Sequence, residues 1–169
     1  MINKFNCNKY ISSSFLDYPD NENLCVIFYM PGCNRKCEGC QNINLQEPTN
    51  YEQIDEIIEI LEQYCKKEHT NKICLQGGDP LFDSNLPITR QILVKMGSNY
   101  DICIYTGASL AEVKTLNLTG FKYIKCGIFN KSKYIGSKKT DDYLQLATSN
   151  QELYDSNLNL LSKDGIYYF

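Results

Sequence analysis

The chain alternates short apolar runs with longer stretches in which apolar residues recur every three or four positions. Leu24-Cys25-Val26-Ile27-Phe28-Tyr29-Met30 is the first strong run and stops at Pro31; it predicts a strand over 24–29. Strands are likewise predicted over 72–76, 101–105 and 122–125. Between them, Ile54, Ile57, Ile58, Leu61 and Cys65 fall on one helical face. A second helix is predicted over 86–96, with Pro87 in its first turn and Gly97 placed to end it. A short third helix carries Leu110, Val113 and Leu116. Thr49-x-x-Glu52 and Ser109-x-x-Glu112 have the spacing of capping boxes ahead of the first and third helices. Residues 1–23 are polar and irregular, with an edge strand near Tyr10-Ile11 and a turn-rich loop over 17–23. Beyond Gly127 the pattern weakens: 141–147 is ambiguous, and Lys163-Asp164-Gly165 is placed to turn a small terminal hairpin.

Strands alternating with helices at this spacing predict an α/β fold, with a mostly parallel sheet in a single domain over 1–169. The C-terminal ends of parallel strands then share one edge, where sites form in such sheets. The loops placed there are Gly32–Asn42 with three cysteines, Gly77-Gly78-Asp79-Pro80, Thr106-Gly107-Ala108 and Cys126-Gly127. No repeat, linker or low-complexity tract divides the chain.

Composition narrows the possible partners. The chain has 169 residues, 43% hydrophobic and 22% charged, with a net charge of -3. That balance gives no reason to expect nucleic acid or an anionic membrane surface as partner. No apolar run approaches the roughly 20 residues of a membrane helix, and Met1-Ile2-Asn3-Lys4-Phe5-Asn6 lacks the apolar stretch of a signal peptide. A cytoplasmic protein is expected. There the nine cysteines would be reduced rather than paired. Cys25, Cys74 and Cys103 sit in apolar strands and Cys65 on a helical face, so these four read as small core hydrophobes.

Cys33, Cys37 and Cys40 are different: they follow a strand with the spacing C-x3-C-x2-C. Thiolates that close together repel unless a metal takes up their charge. Three thiolates could hold three irons of a [4Fe–4S] cluster and leave the fourth to an exogenous ligand. A structural zinc would need a fourth ligand, a remote cysteine or His69, the only histidine. A cluster of cysteines with no metal is the third reading. Gly77-Gly78-Asp79 lets the backbone approach a ligand, and Asp79 could accept from a ligand ammonium; its structural role would be to cap the following turn. Thr106 and Lys125 are further candidate cofactor-binding residues, Lys125 as partner for a ligand carboxylate, although either could simply finish a strand. The 13 tyrosines read as packing.

Gly32-Cys33-Asn34-Arg35-Lys36-Cys37-Glu38-Gly39-Cys40-Gln41-Asn42 resembles the G-C-x3-C-x-G-C-x-N motif of radical S-adenosylmethionine (SAM) proteins. More narrowly, it is similar to the activating proteins of anaerobic (class III) ribonucleotide reductase. Gln76-Gly77-Gly78-Asp79-Pro80-Leu81 is similar to the S-G-G-D-P-L segment of that family, and Ile104-Tyr105-Thr106-Gly107 to its Y-T-G loop. Gly136-Ser137 with Ser149-Asn150-Gln151 resembles its late G-S-x-N-Q segment, split here by an insertion. The likeness runs from about Asp17 to Asp155.

The resemblance implies an incomplete (β/α) barrel open on one side, with a [4Fe–4S] cluster on Cys33, Cys37 and Cys40. SAM would complete the fourth iron. Gly77, Gly78 and Asp79 would hold its amino group; Gly39, Cys40 and Gln41 would border its adenosyl part. One electron from a reductant protein would cleave SAM, and a backbone glycine of the anaerobic reductase large subunit would become a stored glycyl radical, the cofactor supplying the radical chemistry. Two departures stand out. Cys126-Gly127 replaces the family's Asp-Gly pair, and Gly39 precedes Cys40 where many radical SAM enzymes have an aromatic residue. The alternatives are a radical SAM enzyme acting on a small molecule, such as a deazaguanine-type synthase, and a non-enzymatic zinc-binding module.

Overall fold

The protein is described by a computed structural model over residues 6–21, 24–49 and 53–169. Glu52 lies outside the described residues, and with it the capping box placed ahead of the first helix. A six-stranded sheet runs β1 (Ile11–Ser14), β2 (Cys25–Met30), β3 (Lys72–Gly77), β4 (Asp101–Tyr105), β5 (Tyr123–Cys126) and β8 (Glu152–Asp155). The four central strands, β2 to β5, are parallel, as their spacing predicts. β1 and β8 flank them antiparallel. The architecture is therefore α/β with mostly parallel strands.

The parallel strands connect through α1 (Ile54–Lys67), α2 (Leu86–Met96) and α3 (Leu110–Leu116). Side chains alternate across a strand, so each strand feeds two faces. Val26, Phe28, Ile73, Leu75, Ile102, Ile104 and Ile124 point to one face and pack with Ile57, Leu61, Ile92 and Val113 of the three helices. Cys25, Ile27, Cys74 and Cys103 point to the other, under the buried Tyr18. Burial on both faces is why these strands read as near-continuous apolar runs.

All three helices thus cover the same face. The opposite face is covered in part by a smaller sheet of β6 (Lys138–Lys139), β7 (Tyr143–Gln145) and β9 (Ile166–Tyr168). Leu144 of β7 and Leu146 just beyond it pack with Leu153 of β8. Residues 138–147 lie within the insertion. The insertion leaves and returns at one place, because Ile135 N and Gly136 N both donate to Ala147 O, at 3.0 and 3.2 Å.

Local signals hold where they can be compared. Ser109 and Glu112 form both hydrogen bonds of the capping box on α3. Asp164 and Gly165 both have positive φ and turn the chain between Lys163 and Ile166, which exchange hydrogen bonds; the strand that follows pairs with β7. Gly97 does end α2, but for another reason than the left-handed conformation that favours glycine there. Its φ is -63°, and a Cβ would lie 2.4 Å from Gly120 O. The position demands a hydrogen atom for want of space. Among the described residues, no helix is long and apolar enough to cross a membrane.

Candidate iron–sulfur and ligand site

The cavity forms on the helix-free face, at the C-terminal ends of the parallel strands. Gln76, Tyr105 and Lys125 continue the same rows as Cys74, Cys103 and Tyr123 and supply its floor. The cysteine loop and the Gly77-Gly78-Asp79 turn form one side, and residues 137–139 and 144–147 lie across from them. The cavity measures about 480 Å³, within the range of small-molecule sites.

The cysteine loop is closed by its own backbone. Gly32 N donates to Leu45 O at 2.8 Å and Cys33 N to Gln46 O at 2.9 Å. It is then fastened to the turn after β3. Gly78 N donates to Met30 O at 3.0 Å, Asp79 N to Gly32 O at 2.8 Å, and Asn42 Nδ2 to Gly77 O at 3.0 Å. The fully buried Asn85 adds three contacts through one amide nitrogen, to Met30 O and Gly32 O at 3.3 Å and to Asp79 O at 2.8 Å. Gly78 fits because nothing projects from it. A Cβ there would lie 2.5 Å from Gly32 O, 2.6 Å from Leu45 O and 2.8 Å from Met30 O.

Cys33, Cys37 and Cys40 all line the cavity and are half-buried, whereas the other six cysteines are buried. Burial pushes the Cys33 thiol up, opposed by the Arg35 N–H, which donates to its sulfur at 3.5 Å. His69 is exposed at the end of α1 and does not line the cavity. Neither it nor a buried cysteine supplies the fourth ligand that a closed zinc site requires. Among the described residues, no three His, Cys, Asp or Glu side chains gather closely enough to hold a metal ion. Three soft donors lining one cavity have the chemistry of a donor set for a cluster of several metal atoms.

Asp79 is 2% exposed. Its Oδ1 accepts from Leu81 N at 2.9 Å and Thr106 Oγ1 at 2.6 Å. Its Oδ2 accepts from Gly107 N at 3.2 Å and lies 3.4 Å from Arg35 Nε. Asp79 therefore caps its own turn and lines the cavity at once. Thr106 lines the cavity, but its hydroxyl is committed: it donates to Asp79 and accepts from Ala108 N at 3.0 Å. The structure thus makes Thr106 a positioning residue for Asp79. Lys125 is half-buried, with its ammonium 5.3 Å from the centre of the Tyr105 ring. Burial holds its pKa below the usual lysine range, with Asp79 acting the other way. Gly39 and Gln41 lie beside the third cysteine, and Gln41 and Cys40 line the cavity.

Sequence reasoning missed Arg35, Asn42, Asn85, Phe129 and Gln151. Arg35 also reaches Glu112 Oε1 at 3.0 Å, which joins the cysteine loop to the start of α3. Phe129 lines the cavity, and a Cβ on Gly39 would lie 3.6 Å from its ring. Gln151 Nε2 donates to Gly127 O at 3.4 Å, and Asn150 Nδ2 to Ile128 O at 2.9 Å. The Ser149-Asn150-Gln151 segment thereby holds the loop after β5. Only this segment and the cysteine loop carried a sequence signal for such roles.

A family model described as a 4Fe-4S single cluster domain matches residues 22–154. The anaerobic ribonucleoside-triphosphate reductase-activating protein of Enterobacteria phage T4 is 26% identical over 145 residues, covering 83% of this chain and 89% of the phage protein. The protein of the same name from Salmonella typhi is 27% identical over 138 residues, covering 77% and 86%. That of Escherichia coli K12 is 26% identical over the same length and shares. No solved structure matches. With its three cavity-facing thiols inside the matched region, the chain belongs to the family of 4Fe-4S single cluster domains.

Proposed function

We propose that this chain is an activating enzyme for anaerobic ribonucleotide reductase, working with a [4Fe–4S] cluster and SAM. The names of its relatives support the partner. The observation that carries the reading is that three half-buried thiols and the Gly77-Gly78-Asp79 turn face one cavity at the C-terminal edge of a parallel sheet.

Cys33, Cys37 and Cys40 would hold the cluster. Bound there with SAM, it supplies one-electron cleavage of a sulfonium and, through it, removal of a hydrogen atom from a glycine of the reductase large subunit. The chain's own residues position and shield. Gly77, Gly78 and Asp79 receive the amino group of SAM, and Thr106 orients Asp79. Lys125 offers its ammonium to the carboxylate; Gly39, Cys40 and Gln41 border the adenosyl part. The six-stranded sheet is read as the incomplete barrel of radical SAM proteins, whose open side admits a loop of the reductase. A separate one-electron reductant protein completes the system, in the cytoplasm and without nucleic acid or membrane.

The test is anaerobic reconstitution followed by electron paramagnetic resonance. Adding SAM should change the cluster signal, and adding a candidate reductase should produce a glycyl doublet. A signal indifferent to SAM would refute the cofactor. Deoxyadenosine made rapidly with a small substrate, and no radical on the reductase, would favour a small-molecule enzyme.

A further inference from the structure

Asp79 is committed on every side, and one of its contacts comes from a long, partly exposed side chain in the cavity wall. Leu81 N, Gly107 N and Thr106 Oγ1 reach it from the adjoining turns. The fourth, Arg35 Nε, is the longest at 3.4 Å and belongs to a cavity-lining side chain that is 27% exposed. Arg35 also has a second anchor, Glu112 Oε1 at 3.0 Å, at the exposed start of α3. A guanidinium held by two carboxylates can leave one while keeping the other.

We propose that Arg35 and the amino group of the ligand compete for Asp79 Oδ2, with Glu112 as the place to which Arg35 withdraws. The competition rests on the SAM reading above. A buried carboxylate oxygen needs a donor at all times. Gly107 N gives Oδ2 one donor at 3.2 Å and Arg35 supplies the second; an amino N–H approaching from the cavity would take that second place. Ligand affinity is then a difference between two contacts to one oxygen. Arg35 becomes a positioning residue that sets how strongly the site depends on the amino group. Glu112, which does not line the cavity, influences binding through it.

The competition predicts opposite effects from two substitutions. Dissociation constants would be measured on anaerobically reconstituted protein for SAM and for a sulfonium analogue that keeps the carboxylate but lacks the amino group. Arg35→Met keeps an apolar stem against Gly107, which Arg35 now approaches, and removes the competing donor. It should bind SAM about tenfold more tightly, the fold-change of one hydrogen bond to a charged group. The analogue should bind as it does to the parent protein. Glu112→Gln removes the second anchor and should weaken SAM alone, by about threefold for one exposed ion pair. Because Glu112 is exposed, that variant carries the test even where Arg35→Met does not fold. Equal changes for both ligands, no change, or weaker SAM binding by Arg35→Met would overturn the competition and make Arg35 a fixed strut. Failure of the parent protein itself to bind SAM would instead overturn the functional reading, and the competition with it.

Discussion

Thr106 Oγ1 donates to Asp79 Oδ1 at 2.6 Å, so a hydroxyl from the loop after β4 holds the carboxylate from the loop after β3. Both residues are buried. Thr106→Val keeps the shape but leaves Asp79 Oδ1 with Leu81 N as its one remaining donor and strands the donor at Ala108 N. A lost hydrogen bond to a buried charge costs about 1.5–3 kcal/mol. A denaturant midpoint lowered to match, and restored by Thr106→Ser, is the expected outcome.

Asn85 should be as intolerant. Its amide nitrogen serves three carbonyls on two loops. Asn85→Leu removes the second donor of all three, each keeping one backbone N–H, from Gly78, Asp79 and Phe82, and should destabilise by about 1–2 kcal/mol. Asn85→Asp should be worse still, because a carboxylate would face carbonyl oxygens. Thermal unfolding of both variants checks the order.

Gly78→Ala tests the contact between the cysteine loop and the turn after β3. A methyl group there meets three backbone oxygens at 2.8 Å or closer, and backbone cannot rotate away as a side chain can. Overpacking of this kind costs about 1–3 kcal/mol. Because the loop carrying the thiols must shift, iron bound after reconstitution should fall along with stability. Unchanged iron content would show that the loop adjusts independently of the turn.

The thiols divide into two groups by burial. Cys33→Ala, Cys37→Ala or Cys40→Ala should each abolish reductive SAM cleavage and lower bound iron. Cys65→Ala should preserve both, since Cys65 is 2% exposed among the core residues of α1. Iron and sulfide analysis with deoxyadenosine assay distinguishes the groups. Full cleavage by a Cys33, Cys37 or Cys40 variant would refute the ligand assignment.

Acid should weaken the tie between the cysteine loop and α3. The backbone N–H of Ser109, and then Arg35, pull the Glu112 carboxyl down from 4.5 to about 2. A carboxyl with a lowered folded pKa contributes stability above its unfolded pKa, and that contribution is lost as pH falls through the folded value. The window therefore runs from pH 4.5 down to about pH 2. Cluster-free protein should lose slightly more stability across it than Glu112→Gln, the difference being small because the side chain is 52% exposed. Parallel unfolding curves for the two proteins would remove Glu112 from the acid response.

Much of this architecture was visible in the residues because its cause is local. β2 to β5 are buried on both faces, which writes continuous apolar runs into the chain, and Ser109 and Glu112 satisfy each other three residues apart. The cysteine triplet stands out by its spacing, which alone leaves a cluster, a zinc site and no metal open. The smaller sheet left little trace. β6 is only Lys138–Lys139, and β7 pairs with β9 across a long stretch of chain. The same holds for Asn85 and Arg35, ordinary polar residues whose roles come from what folding places beside them. Gly97 shows the limit from the other side: its position was legible as a helix end, but its cause is the approach of Gly120.

The main-chain clasp at Gly32–Leu45 and Cys33–Gln46 involves no sulfur atom. The base of the thiol-bearing loop is therefore fastened by peptide groups alone, so exchanging any of its three thiols for another side chain takes no bond away from the clasp.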